Sequence, residues 1–571
     1  MADEFETFKV PELKQMLKEK NLPVSGKKKE LIERLKTTKK EIKFSNIRES
    51  NSIWTRMLNK KWETEKGIVF SLTHILVGAI VLVSTAGIGI YTVSQFSSKV
   101  PDYKLVDFDS SNARDYAQML VDLGNPGRLS GSIQEQAAVD AIQQNFTEMS
   151  LMLQYETFSV PMFDILSEPE LAICTPGDYL GFNAPTPCGS TDINADIHEF
   201  EHMTQFVLQG YSGSRDIQFW QDEFTIVNLS NGSDDSLWDS ASGQVGMLWL
   251  DSTGVTSNTV FYGKARDASL AGLIIVTTSG NNCKVETGSG DFCVPFFKTV
   301  DVENLGTMPT DIAFMMVAND VAEIIMGEFE NKDENDVRLR LVTDMYNDGT
   351  MEIRVPCGVL PGQTDELIII GGHHDTVYNG PGAVDDTSGV ATVLELARQF
   401  SLLSNEIGPS YYTIKFCTWG GEEEGLHGSK AYVDMHSIEL SDVLRLYVNF
   451  DMPHVDIDLE NRGNSISFYG NGVEDLEHIS NIIEVFKINN PDISSKYSLS
   501  QNHQNNDEIA CSSDHCPFVK QINKDIVGSY GGGSWEYHTM YDDMSRFNEE
   551  SLFVTGTILG SYVRYLGWGE L

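Results

Sequence analysis

From about residue 345 to the C-terminus, continuous apolar runs alternate with stretches in which apolar residues recur every three to four positions. LIIIGGHHDT, YYTIKFCTWG and LRLYVNFDM read as strands covered on both faces, and SGVATVLELARQF between them reads as a helix. Repetition of apolar strand, loop and helix predicts the α/β class, a mostly parallel sheet sandwiched by helices. Upstream, DYAQMLVDLG and SIQEQAAVDAIQQNFTEM carry a helical pattern. Between about 165 and 342 the pattern changes to short strands and Gly/Ser/Asn-rich turns, as in SGQVGMLWLD and LAGLIIVTTSG, which predicts an inserted β-rich subdomain.

The first hundred residues follow other rules. Residues 68–93 run for 26 positions without Asp, Glu, Lys or Arg, long enough for a single transmembrane helix, and 67 residues precede them, too many for a signal peptide. Arg56, Lys60, Lys61 and Lys66 flank this segment on its N-terminal side, whereas Asp102, Asp107 and Asp109 accompany Lys99 and Lys104 beyond it. The positive-inside bias predicts a type II signal-anchor, with the N-terminus cytosolic or nucleoplasmic and the body lumenal or extracellular. Residues 8–35 hold two short amphipathic helical patterns, Leu13, Met16 and Leu17 on the first and Leu31, Ile32 and Leu35 on the second, with Lys27, Lys28 and Lys29 opening the second. PELKQMLKEKNLPVSGKKKELIERL resembles the SAP (helix-extension-helix) motif, which implies DNA or chromatin contact through the backbone phosphates. A docking module, or lysines meeting anionic lipid at the membrane face, is the other reading.

Composition adds a charge asymmetry. The 571 residues include 83 acidic and 41 basic side chains, net −42. Residues 1–67 alone are net +6, so the remainder is net −48. All eight cysteines lie after residue 100, as do the sequons at Asn145, Asn228 and Asn231, in keeping with an oxidising compartment and a glycoprotein. Cys174 with Cys188, Cys283 with Cys293, and Cys511 with Cys516 are the close pairs expected as disulfides; Cys357 and Cys417 are a fourth pair or two buried thiols.

Polar residues gather at the strand ends, where an open α/β sheet binds its ligands. LIIIGGHHD delivers His373 and Asp375, GPGAVDDTSG Asp385 and Asp386, FCTWGGEEEGLHGS Glu422, Glu423 and Glu424, YVNFD Asp451, and WEYHTMYDD His538. Imidazole nitrogen and carboxylate oxygen both suit zinc. Together GGHHDTV, GPGAVDDTSGV, GGEEEGLHGS, NFDM, SDHCPF and YHT resemble the di-zinc exopeptidase family of secreted bacterial aminopeptidases, vacuolar aminopeptidases and glutamate carboxypeptidases, over about residues 110–571. The resemblance implies two zinc ions and peptide substrates. It implies His373 and Asp451 on one ion, Glu423 and His538 on the other, Asp385 bridging, Glu422 as general base, and Tyr537 donating to the developing oxyanion. Asp375 would hold the His373 imidazole, while Asp386 and Ser513 to His515 would be structural.

Val384, where the family usually has a polar residue, and Pro453 with His454, in place of Val-Gly, depart from the pattern without removing a ligand. The insert resembles the protease-associated domain of larger members, which implies a lid or gate. The expected organisation is 1–45 SAP-like motif, 46–67 basic linker, 68–93 transmembrane helix, 94–110 stem, 111–164 first part of the peptidase domain, 165–342 insert and 343–571 catalytic domain. An aminopeptidase is the leading expectation; a carboxypeptidase, a glutaminyl-cyclase-like enzyme and a non-catalytic receptor or chromatin tether are the alternatives.

Overall fold

The computed structural model describes residues 102–178, 185–250, 258–278, 283–286, 290–330, 336–455, 464–532 and 535–570, together with 28–29, 61–63 and 69–71. The chain divides into two compact units, Met1–Val100 and Pro101–Leu571.

In the first unit Lys28 and Lys29 are helical, and the rest of the SAP-like segment lies outside the described residues. Lys61–Glu63 pairs antiparallel with Val69–Ser71. These three residues are therefore a strand where the start of a transmembrane helix is expected; β-branched Val69 and aromatic Phe70 suit a strand. The remainder of 68–93 lies outside the described residues, among which no helix is long and apolar enough to cross a membrane.

The second unit is built on an eight-stranded sheet of β1 (Met152–Ile165), β2 (Met345–Leu360), β3 (Leu367–His373), β4 (Thr413–Trp419), β5 (Leu444–Phe450), β6 (Ser465–Gly470), β7 (Ser498–His503) and β8 (Ile526–Tyr530). The spatial order is β7-β6-β8-β5-β3-β4-β2-β1. The central strands β8, β5, β3 and β4 run parallel to one another. The sheet is nevertheless mixed rather than mostly parallel, because β6 joins β8 antiparallel on one side and β2 and β1 complete the other side antiparallel. The reason is visible in the burial. β2 alternates exposed and half-buried residues over its first half, the signature of an antiparallel strand with one wet face, whereas β3 is buried throughout.

Because side chains alternate across a strand, the run in β3 feeds two cores. Ile368 and Ile370 pack with α1 (Ser110–Gly124), α3 (Thr387–Ile407), α5 (Val473–Asn489) and α6 (Glu549–Trp568) on one face. Ile369 packs on the other with Trp419, Tyr447 and apolar residues of the insert such as Phe314 and Leu273. On the first face α2 (Ile133–Glu148) adds Ala138, Ile142 and Phe146, and on the second α4 (His427–Met435) adds Tyr432 and Val433. Between β1 and β2 the chain forms a five-stranded sheet ordered Phe206–Leu208, Ala313–Val317, Gly272–Thr277, Val245–Leu250, Ile226–Asn228. A four-stranded antiparallel sheet ordered Asp196–Glu199, Glu170–Thr175, Arg338–Thr343, Arg215–Ile217 lies in the same stretch. All eight cysteines are paired: Cys174–Cys188, Cys283–Cys293 and Cys511–Cys516 as expected, and Cys357–Cys417, which join neighbouring β2 and β4.

Candidate metal centre

Each parallel strand of the centre of the sheet ends at one edge, and the polar residues lie there. His373 is the last residue of β3, Asp451 follows β5, Glu422 and Glu423 follow β4, Asp385 precedes α3, and His538 lies in the loop after β8. Asp386 caps α3, its Oδ1 accepting from Gly389 N at 3.0 Å. Its carboxylate also accepts from Met452 N at 2.9 Å and His373 N at 3.1 Å, which ties together the segments carrying Asp385, Asp451 and His373. Gly372 leaves room for this, since a Cβ there would meet Phe450 O at 2.6 Å and Asp386 Oδ2 at 2.8 Å.

The ligand atoms converge in two groups. His538 Nε2 stands 3.0 Å from Glu423 Oε2 and 3.1 Å from Asp385 Oδ2, while His373 Nε2 stands 3.1 Å from Asp385 Oδ1 and 3.9 Å from Asp451 Oδ1. Asp385 thus faces both imidazoles, one oxygen each. Asp386 also lies within 4.8 Å of the ligand atoms of His373 and Asp451, but its oxygens are occupied by backbone N–H groups, which leaves Asp385 the better bridge.

The donor set fits a cation. His373 Nε2 and Glu423 Oε1 are buried without a hydrogen-bond partner, and a metal ion between the ligands would satisfy both. Each imidazole is oriented from behind by an acceptor. His373 Nδ1 lies 3.1 Å from the Asp375 carbonyl, and His538 Nδ1 lies 2.8 Å from the Phe297 carbonyl. A carbonyl only accepts, so both rings carry hydrogen on Nδ1 and turn the Nε2 lone pair to the cluster. The Asp375 carboxylate, expected to hold His373, is farther from that nitrogen at 3.6 Å; its Oδ2 accepts from Glu423 N instead, at 3.1 Å. Asp375 therefore positions two candidate ligands, one through its backbone and one through its side chain.

Electrostatics point the same way. Burial pushes the Glu422 carboxyl well above its usual range, and the Asp451, Glu423 and Asp514 charges add to it against the opposing pull of His373. Burial raises Asp451 to about 6 and Asp514 to about 7. Burial also opposes ionisation of Asp385, but His373 and His538 hold it far below the carboxylate range. Such a concentration of acid is stable with cations inside it.

Glu422 and Tyr537 line a cavity of about 440 Å³ beside the cluster, together with Asp385, Asp451, Tyr469, Asn502, Ser513 and His515. Seven of the residues expected from sequence are thus gathered at one place: five around the two groups and two on the cavity wall. Sequence reasoning missed three supports. Asp542, 2% exposed, accepts from Val384 N at 2.8 Å and Asp385 N at 3.0 Å. Arg128, fully buried, donates to His374 O, Pro381 O and Thr387 Oγ1 behind the cluster. Phe297 and Lys298 come from the insert, and Lys298 Nζ donates to Tyr537 Oη at 2.7 Å. Asp542 had a faint signal in its nearness to His538; the other two had none.

Comparison with known proteins supports this assignment. Residues 357–563 match the model of peptidase family M28. Residues 4–38 match the SAP domain model. An aminopeptidase of Pseudomonas aeruginosa is 35% identical over 117 residues, 20% of this chain and 21% of that protein. A probable glutamate carboxypeptidase of Arabidopsis thaliana is 28% identical over 197 residues, 33% of this chain and 27% of that protein. The chain thus matches about a fifth to a quarter of the length of these relatives. Among solved structures, a zinc aminopeptidase from Bacillus subtilis superposes with a TM-score of 0.56 at 16% identity, covering 81% of this chain and 96% of that one. An aminopeptidase from an Aneurinibacillus strain gives 0.51 at 20% identity over 81% and 94%. These two share the fold.

Proposed function

We propose that the chain is a zinc-dependent exopeptidase with a co-catalytic two-ion site, and specifically an aminopeptidase. The observation that carries this is the sharing of Asp385 between two imidazole–carboxylate groups, with Glu422 beside them on a cavity wall. His373, Asp385 and Asp451 would hold one ion, and Asp385, Glu423 and His538 the other. Zinc held there supplies Lewis acidity toward water and toward a carbonyl oxygen. Glu422, its carboxyl raised by burial, removes a proton from the attacking water and hands it to the leaving amine. Tyr537 donates its hydroxyl hydrogen to the oxygen on which charge develops.

The amino direction is favoured by charge. A carboxypeptidase needs a cation for the substrate carboxylate, and among the described residues lining the cavity there is no Lys or Arg. An N-terminal ammonium instead meets Asp451, Asp385 and Glu422. The membrane-anchored type II arrangement, with residues 8–35 contacting DNA or chromatin, is part of the same proposal. The placement of the body in an oxidising compartment is supported by the four disulfides confined to residues after 100 and by the exposed side chains of Asn228 and Asn231 within their sequons, and the DNA contact by the SAP match over residues 4–38.

The test is amino-acid release by the purified full chain from N-terminally free and N-blocked peptides, with zinc content measured and Glu422→Gln as control. Release from free N-termini, with about two zincs per chain and loss of activity in the variant, is expected. Release from blocked peptides alone moves the reading to a carboxypeptidase, and a metal-free inert protein refutes it.

A further inference from the structure

The insert reaches the cluster at one short segment. The Phe297 carbonyl accepts from His538 Nδ1 at 2.8 Å, and Phe297 N donates back to the His538 carbonyl at 3.0 Å. This reciprocal pair brackets His538, whose φ of 60° is a left-handed conformation uncommon for a residue with a Cβ. The next residue, Lys298, places its ammonium 4.7 Å from the Tyr537 ring centre and donates to Tyr537 Oη at 2.7 Å. The segment is itself fastened to the insert. Gln209 donates from Nε2 to Phe296 O at 3.0 Å and accepts from Lys298 N at 3.0 Å, and Gly210 N donates to Lys298 O at 3.1 Å.

An ammonium only donates, so the Tyr537 oxygen is the acceptor in this contact and the phenolic hydrogen must point elsewhere. Tyr537 lines the same cavity as Glu422, Asp385 and Asp451, and the carboxylates there leave a developing oxyanion without a cationic side chain of its own. We infer that Lys298, supplied by the insert, is a positioning residue that fixes the Tyr537 hydroxyl with its hydrogen turned to the substrate carbonyl oxygen. By donating to the Tyr537 oxygen, the Lys298 ammonium also polarises the phenolic O–H bond, so the phenol becomes a better donor at the moment charge appears on the substrate. The insert then contributes directly to the site. This inference rests on the peptidase reading above and adds the source of the Tyr537 orientation.

The experiment is a double-mutant cycle on the full chain, Lys298→Met, Tyr537→Phe and both together, with Lys298→Arg as the conservative variant. Three quantities are read for each: kcat and KM on a free-N-terminal peptide, zinc per chain, and the calorimetric affinity for a phosphinic pseudopeptide that mimics the tetrahedral state. Loss of one oxyanion donor lowers kcat about 10²–10³-fold, so Lys298→Met is expected to lower kcat about 10-fold or more with KM within about twofold. It should weaken phosphinate binding by a similar factor, and do neither in the Tyr537→Phe background. Lys298→Arg should recover most of the loss, and zinc content should stay at the parent level. Equal losses in both Tyr537 backgrounds, or no change in kcat and phosphinate affinity, overturn the inference; a fall in zinc content in both Lys298 variants does so as well, by assigning Lys298 to the fold of the metal centre. Failure of the peptidase reading shows separately, as a parent protein that binds zinc and the phosphinate without turnover, where the phosphinate cycle still decides the role of Lys298; a parent that binds neither overturns the inference together with that reading.

Discussion

Asp542→Ala tests whether Asp385, the proposed bridging ligand, is held by the backbone beneath it. Asp542 is 2% exposed and accepts from Val384 N and Asp385 N at 2.8 and 3.0 Å, so truncation leaves two buried N–H groups without an acceptor. Each such orphan costs about 1–3 kcal/mol, which puts the loss at about 2–6 kcal/mol unless water enters the void. Because one of the two N–H groups belongs to Asp385 itself, part of the loss appears as metal affinity. Partners behind a ligand typically contribute about 10–100-fold, or about 1.4–2.7 kcal/mol, so the remainder is stability of the loop before α3. Zinc dissociation constants measured with a competing chelator, and urea midpoints of the stripped and loaded protein, separate the two shares. Asp542→Asn keeps one acceptor oxygen and should fall between the parent and the alanine variant. An alanine variant with zinc affinity within about twofold of the parent and stability within about 0.5 kcal/mol would refute the reasoning.

Stripping the metal should make stability, relative to the zinc-loaded protein, fall as pH rises. Burial holds Asp451 at about 6 and Asp514 at about 7, against about 3.9 in an unfolded chain, so the folded metal-free protein binds more protons between those limits. This contribution is full below about pH 4 and is lost as pH passes the folded values; buried His454 and His515, lowered to about 3 and about 4, act oppositely in both forms, so the check is the urea midpoint of the stripped relative to the zinc-loaded protein, which should fall from pH 5 to pH 8, and a difference that rises excludes it. Replacing Cys357 and Cys417 together by Ser opens a link with a sequence separation of 60, and loop entropy puts the loss near 4 kcal/mol by urea unfolding. A loss under about 1 kcal/mol would show that neighbouring β2 and β4 hold each other without the bond. Changing Lys27, Lys28 and Lys29 to Ala should weaken binding to duplex DNA and reduce the slope of log affinity against log salt by about 2.7; an unchanged slope removes these lysines from the phosphate contact.

What the sequence disclosed, and what it hid, follows from where each interaction closes. His373, Asp451 and Glu423 stand at or just beyond β3, β5 and β4, so an apolar run ending in a ligand-type residue marks them without knowledge of the partner strand. The Asp385 loop precedes a helix whose cap is its own neighbour, which is also local. The antiparallel edge was less legible because β1 and β2 are separated by the whole insert, and their pairing from Met345 with Ile165 to Val359 with Met152 leaves no short-range trace. Support for His538 was hidden altogether, since Phe297 and Lys298 lie 241 and 239 residues from their partners and carry no motif. That separation has a physical consequence. His538, at φ 60°, has its Nδ1 bonded outside its own segment, to the Phe297 carbonyl of the insert. The proposed metal centre therefore draws on two parts of the chain built around different sheets, and His538 is the proposed ligand whose ring is bonded across to the second part.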